Sequence, residues 1–289
     1  MPVLSISVFR VFLPFAFGYF LSYLFRVVNA VIAPDLVADL HIDPSQLGLL
    51  TSTYFIAFAS SQLPLGILLD RFGPRIVEAF LLIFAGLGAL IFAKSHSLTG
   101  VIIGRAFIGF GVSACLMAAF KSYVIFFPEK LWPRINGFQM AAGGLGALSA
   151  TTPVEWILKI TDWRGLFFLL AILSFCIAFS VFFIVPGTKS HGAKESFSTQ
   201  VQGIKKVFKS MNFWRIAPLT MLSQASYLSL QGLWAGPWLR DVAGMQRGEI
   251  AHVLSLAAIA MVAGYISLGF IAEKLAQRGV SILLTSVTG

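Results

Sequence analysis

Eight stretches of this chain are apolar over lengths that a bilayer dictates: about residues 10–33, 45–69, 75–93, 99–120, 134–157, 164–186, 214–236 and 248–271. A run of about 18 or more apolar residues is long enough to cross the hydrocarbon core as a helix. Lipid offers no partner to backbone N–H and C=O groups, so a spanning segment must satisfy them within itself, as a helix does. A membrane β-barrel would instead show segments of about ten residues alternating in polarity. Stretches such as "AFLLIFAGLGALIFA", residues 79–93, do not alternate. A soluble domain averages about 25% charged residues, whereas this chain has 11%. The expected fold class is an all-α, integral, multi-pass membrane protein with the lipid bilayer as its surroundings.

The formal net charge of +9 raises the question of a nucleic-acid partner, and its placement answers it. With the N-terminus in the cytoplasm, fourteen of the 21 Lys and Arg fall in inner loops. Five (Lys94, Lys159, Arg164, Arg240 and Arg247) fall outside, while Arg26 and Arg105 lie within spans. That asymmetry orients membrane proteins. The loop "PDLVADLHIDPSQ" has three Asp and no Lys or Arg, as an outer loop should. The charge is topological, and no nucleic acid is implied. Cys115 and Cys176 fall inside spans without metal-ligand or CxxC spacing and read as packing residues. The first apolar run is too long for a cleaved leader and reads as the first helix.

Residues 186–215, "PGTKSHGAKESFSTQVQGIKKVFKSMNFWR", are polar and basic and form the one candidate linker. Its second half, "VQGIKKVFK", is expected to be a solvated basic loop, with a short amphipathic helix on the inner leaflet as the alternative. The expected domains are an N-terminal six-helix bundle (1–187), a cytoplasmic linker (188–213) and a partial second bundle (214–289) made of helices 7, 8 and a stump of 9. Sliding the chain by 203 positions brings Pro34 onto Pro237 and Leu36 onto Leu239. The same shift brings "GILLDRFGPR" (66–75) onto "GFIAEKLAQR" (269–278), each at the end of a span. Two anchors under one offset point to two parallel repeats, an arrangement common in transporters.

Arg26 is a permanent charge inside the first span, where it costs at least ~2.5–3.5 kcal/mol on insertion scales and such residues usually face a cavity. Tyr19, Ser22, Arg26 and Asn29 are spaced 3, 4 and 3 apart and share one helical face. Gln224, Tyr227, Gln231 and Trp234 repeat that spacing in the seventh span. These eight are the candidate substrate-binding residues. The planar guanidinium fork of Arg26 matches a carboxylate or phosphate, so a small anionic metabolite is the expected partner. Two plainer roles stay open: snorkelling to the outer surface and pairing with a backbone carbonyl.

In "G66-x-x-x-D70-R71-x-G73-x-R75", "GRAFIGFGVSA" (104–114) and "DWRGLFFLLA" (162–171) the chain resembles the major facilitator superfamily over nearly its whole length. Pro74 departs from the first motif, which usually has a second basic residue there. The resemblance implies twelve helices in two bundles that work by alternating access, of which this chain holds a complete N-terminal bundle and an incomplete C-terminal one. It also implies a gating role for Gly66, Asp70, Arg71, Gly73, Arg75 and Arg105, and, through the repeat, for Glu273, Lys274 and Arg278. On the residues alone, Gly66 lets its helix approach a neighbour closely and Gly73 permits a tight turn. The first span, "FGYxxxYLxRxxxAxxxPxL" from Phe17 to Leu36, is similar to those of the organophosphate:phosphate antiporters and the anion:cation symporters. In both groups an arginine at the Arg26 position contacts the substrate anion. The antiporters' second arginine corresponds here to Ser229, so one carboxylate suits the site better than a phosphate. The acidic positions of the symporters correspond to Phe25 and Val112, and no other proton-carrying carboxylate is evident inside the first six spans.

The glycine-rich fifth span, "GFQMAAGGLGALSATTP", reads as small-residue helix packing, because the Gly-Pro pair of drug exporters is missing. His41, His96, His191 and His252 are scattered, with no metal spacing or nucleophile–base cluster. No enzyme, cofactor or metal is expected. The expectation is a secondary active transporter of a small organic anion such as a carboxylate or sugar acid, in a bacterial inner membrane, with a truncated C-terminus. The alternative is an inactive remnant or a membrane interaction protein that needs a separately encoded C-terminal half.

Overall fold

A computed structural model describes residues 8–187, 197–230 and 235–277. Gln231, Trp234, Arg278, the Glu273 side chain, the first part of the linker and the apolar stretch after Gly279 lie outside what the structure describes. A π-helical stretch, Val8–Phe12, leads into α1 (Leu13–Leu40). There follow α2 (Pro44–Phe72), α3 (Pro74–Lys94), α4 (Leu98–Gly111), α5 (Cys115–Phe126), α6 (Trp132–Ser149), α7 (Thr152–Leu158) and α8 (Trp163–Ile184). The remainder is α9 (Phe197–Lys209), α10 (Met211–Ser229), α11 (Ala235–Asp241) and α12 (Arg247–Gln277). Among the described residues six helical segments are long and apolar enough to cross a membrane: Phe9–Leu40, Pro44–Phe72, Pro74–Lys94, Leu98–Phe126, Trp163–Ile184 and His252–Ile271.

Local chemistry sets the helix ends. Asp43 accepts from the Gln46 N–H at 2.8 Å, and the Asp43 N–H donates back to Gln46 Oε1 at 2.9 Å, a reciprocal cap that starts α2. Ser97 and Asp162 cap α4 and α8 in the same sense, accepting from Gly100 and Gly165. Gly73 turns the chain between α2 and α3 at φ +80°, a conformation glycine adopts without strain. Two expected spans are interrupted. The fourth breaks at residues 112–114 between α4 and α5, and the fifth at residues 150–151 between α6 and α7. The basic segment around 201–209 was expected as a loop and is instead the helix α9. Its apolar and lysine positions fall on opposite faces at the 3.6-residue period, which favours an amphipathic helix over a loop.

The chain divides into two compact units, Met1–Thr188 with Ser255–Gly289, and Lys189–Leu254. In the first, α3 packs on α4 and α8, α1 on α6, and α2 on α4. Within a membrane such contacts rest on close packing more than on the hydrophobic effect, so small residues mark the closest approaches. A Cβ on Gly88 would stand 2.7 Å from the Ile108 backbone nitrogen, and one on Gly104 would stand 2.9 Å from the Gly88 carbonyl oxygen. The fifth span's glycines do the same: Gly143 faces the rings of Tyr19 and Tyr23, and Gly137 faces the Tyr265 carbonyl of α12. Phe92 stacks on Phe167 with ring centroids 4.0 Å apart, joining α3 to α8. Cys115 is buried in this core, while Cys176 is exposed on α8. In the second unit, α10 presents almost all of its residues on the surface.

Candidate functional site

Arg26 sits on α1, half-buried, with its guanidinium between aromatic faces. Its central carbon lies 4.5 Å from the ring centroid of Tyr23 and 5.3 Å from that of Phe58 on α2. Tyr54, Tyr23 and Tyr19 are within electrostatic reach. The Arg26 Nε is buried without a hydrogen-bond partner, and no carboxylate among the described residues pairs with it. Ring faces stabilise a cation by roughly 0.5–2 kcal/mol each, well short of what a carboxylate's paired oxygens would supply. The result is a cation held in place with hydrogen-bonding capacity left over.

The other members of the α1 stripe are engaged within the bundle. The Tyr19 hydroxyl donates to Met140 Sδ at 3.6 Å and its ring meets Tyr23 edge-on at 5.0 Å. Asn29 donates to Thr51 Oγ1 at 2.9 Å, binding α1 to α2. Ser22 is buried, and its carbonyl accepts from the Tyr54 hydroxyl at 3.4 Å. Tyr54 is the hub that the sequence reading did not name. Arg105 is fully buried on α4, stacks over the Tyr54 ring at 4.8 Å, and donates from Nη1 to the Phe25 carbonyl at 2.9 Å. The structure therefore brings Arg26 and Arg105 to one aromatic residue, with Arg105 anchored to the carbonyl just before Arg26. Gln224 and Tyr227 lie on α10, in the second unit, and both are exposed.

Of the candidate gating residues, Gly66, Asp70, Arg71, Gly73 and Arg75 lie at the end of the bundle where α2 passes into α3. Asp70 forms an ion pair with Lys121 of α5. Arg71 lies over Phe72 at 5.5 Å, and Arg75 lies over Phe182 of α8 at 4.9 Å. Gly73 makes the expected turn. Gly66 does not make the expected close approach: a Cβ there would meet nothing within 4 Å. The space around it is open, so nothing in this arrangement requires a glycine. Lys274 is exposed near the end of α12. At the opposite end of the bundle, a latch went unread in the sequence. Arg164 pairs with Asp39, its Nη2 donates to the Ser95 carbonyl at 3.2 Å, and Trp163 Nε1 donates to Asp39 Oδ2 at 3.2 Å. A hollow of about 430 Å³ beside this latch is lined by Asp35 and residues 158–163, and its lining does not include Arg26.

One expectation is overturned. The first six spans do contain a buried carboxylate, because Glu78 of α3 is wholly inaccessible, with neither oxygen hydrogen-bonded. Glycine at position 18 leaves room for it between helices, a pairing that hydropathy cannot show.

The family model of the Major Facilitator Superfamily matches residues 15–289. The hexuronate transporter of Escherichia coli (strain K12) is 24% identical over 250 residues, covering 81% of this chain and 58% of its own length. A protein described as a probable sulfoacetate transporter, from Cupriavidus necator, is 22% identical over 276 residues, covering 90% of this chain and 64% of its own. The chain thus spans less than two thirds of the length of these relatives. Among solved structures, a D-xylose–proton symporter superimposes with a TM-score of 0.62 at 16% identity, over 94% of this chain and 70% of that one. The fold, the spanning helices and the family match agree: this chain is an integral, multi-pass membrane protein that belongs to the Major Facilitator Superfamily, a family of transporters and not of enzymes.

Proposed function

We propose that this chain is part of a secondary active transporter that moves a small organic anion across the membrane by alternating access, with Arg26 receiving the anion's carboxylate. The observation that carries this reading is the Arg26 guanidinium, held inside a span by two aromatic faces with no carboxylate partner among the described residues. A cation inside a span without a counter-ion is costly, and a substrate anion would supply what is missing. The relatives named for hexuronate and sulfoacetate support an organic anion as the substrate class. Tyr19, Ser22 and Asn29, with Gln224, Tyr227, Gln231 and Trp234 from the second repeat, are proposed to complete the site. Gly66, Asp70, Arg71, Gly73, Arg75 and Arg105, with Glu273, Lys274 and Arg278, are proposed to govern opening. The proposed orientation places the N-terminus in the cytoplasm, and the proposed location is a bacterial inner membrane.

Hydrogen bonds to a charged group contribute about 1.5–3 kcal/mol, which is about 10- to 150-fold in affinity at 1.36 kcal/mol per decade. Arg26→Gln should weaken glucuronate binding by that factor in purified protein held in lipid nanodiscs, and Arg26→Lys should fall between. Equal affinity in the wild type and Arg26→Gln would remove Arg26 from the site.

A further inference from the structure

Glu78 lies one turn inside α3, in a stretch otherwise apolar from Ile76 to Ala93. It is 0% exposed, and both Oε1 and Oε2 are buried without a hydrogen-bond partner. Oε1 fills the volume that a Cβ on Gly18 of α1 would need, and Cys115 Sγ of α5 lies 3.8 Å from that same point. The carboxyl is therefore enclosed where α1, α3 and α5 meet.

None of the charged and titratable groups described on the surrounding elements forms a hydrogen bond or ion pair with the Glu78 carboxyl. On α1, Tyr19 donates to Met140, Tyr23 packs on Tyr19 and Arg26, and Arg26 lies against rings. On α2, Tyr54 donates to the Ser22 carbonyl and Asp70 pairs with Lys121 of α5. Arg75 of α3 lies over Phe182, and Arg105 of α4 donates to Phe25. Tyr123 of α5 donates to Gln139 at 2.6 Å. On α8, Arg164 pairs with Asp39, and Cys176 is exposed. The Cys115 thiol of α5 lies beside the Glu78 carboxyl, carries no positive charge and gives it no hydrogen bond. An ionised carboxylate in such a place has neither a counter-ion nor a donor, and the general remedy for such a group is to take up a proton.

We propose that Glu78 is a proton-binding site: it holds a proton in this conformation and yields it when the junction of α1, α3 and α5 opens to water. This goes beyond the anion reading and does not rest on it. The means of opening is adjacent, because α5 begins at Cys115 immediately after the irregular turn at 112–114. Proton exchange requires no other reactant than water, which receives the proton from the carboxyl and returns it.

Infrared spectroscopy of the full chain in lipid nanodiscs tests this without any transport assay. At neutral pH the wild type should show the C=O stretch of an un-ionised carboxylic acid, absent from Glu78→Gln, and the band should shift within minutes of transfer to D₂O. Where Glu78→Gln fails to insert, Glu78→Asp carries the assignment by moving the band. Spectra in which no acid band responds to either substitution would overturn the proposal. A band that persists unshifted in D₂O for a day would also overturn it, by showing a sealed structural acid that exchanges with nothing.

Discussion

Replacing Gly109 by alanine puts the packing account at risk. A Cβ at Gly109 would press on the carbonyl oxygen of Tyr54, with the Tyr54 carbonyl carbon at 3.0 Å and its Cα at 3.1 Å. Carbon atoms pack comfortably at about 3.5–4.0 Å, so α2 and α4 must part by about 0.5–1 Å, which forfeits a quarter to a half of each contact's attraction. All the obstructing atoms are helix backbone and cannot swing aside. Overpacking of this kind costs about 1–3 kcal/mol, offset by up to about 1 kcal/mol from alanine's better helix propensity. Gly66→Ala is the matched control, because open space surrounds that position and only the propensity gain applies. The two variants should therefore differ by about 1–3 kcal/mol, or about 2–12 °C at 2–4 °C per kcal/mol. A thiol-reactive dye reads the transition as buried Cys115 becomes accessible, in a Cys176→Ala background that removes the exposed thiol. Equal midpoints for Gly109→Ala and Gly66→Ala would refute the claim that helix proximity at Gly109 holds α2 against α4.

Arg105→Met should keep or raise the midpoint, since an apolar side chain of similar size removes a buried charge with two unpartnered nitrogens. Arg105→Ala should lower it by about 2–5 kcal/mol through the cavity it leaves, measured in the same unfolding assay. Asp39→Asn should lower the midpoint only slightly, because the pair with Arg164 is partly exposed, and the loss should shrink in 1 M salt. Arg240 holds the Asp241 carboxyl below its ordinary range through hydrogen bonds. That contribution is complete above the ordinary carboxylate range and fades as pH falls through the lowered value. Both side chains are largely exposed, so Asp241→Asn should leave the midpoint at neutral pH unchanged within error.

Hydropathy made the spanning helices legible because it averages over many residues, and the Arg26 stripe was legible because a charge in an apolar run has few explanations. Contacts between helices distant in sequence were not. Asp39 and Arg164 are 125 positions apart and each looked like a loop charge until the fold joined them. Glu78 went unnoticed in its apolar run, and its burial depends on Gly18, sixty positions earlier. The breaks at 112–114 and 150–151 escaped notice because small uncharged residues (Val112, Ser113 and Ala114; Ala150 and Thr151) run through both. Gly66 illustrates the opposite error: a motif glycine suggested proximity that this arrangement does not use.

The bond from Arg105 to the Phe25 carbonyl has a kinematic consequence. It ties α4 to α1 one residue from the guanidinium proposed to meet the anion, through a side chain with no exposed surface. Those two helices should travel as one body, so relative motion has to enter elsewhere. The nearest joint is the turn at 112–114, beyond which α5 carries Cys115 beside Glu78 and Lys121 bound to Asp70. A pivot there would swing the neighbours of the buried acid and the ion pair together while leaving the arginine platform still. The proposed substrate contact, on this geometry, is the fulcrum of the bundle and not its moving part.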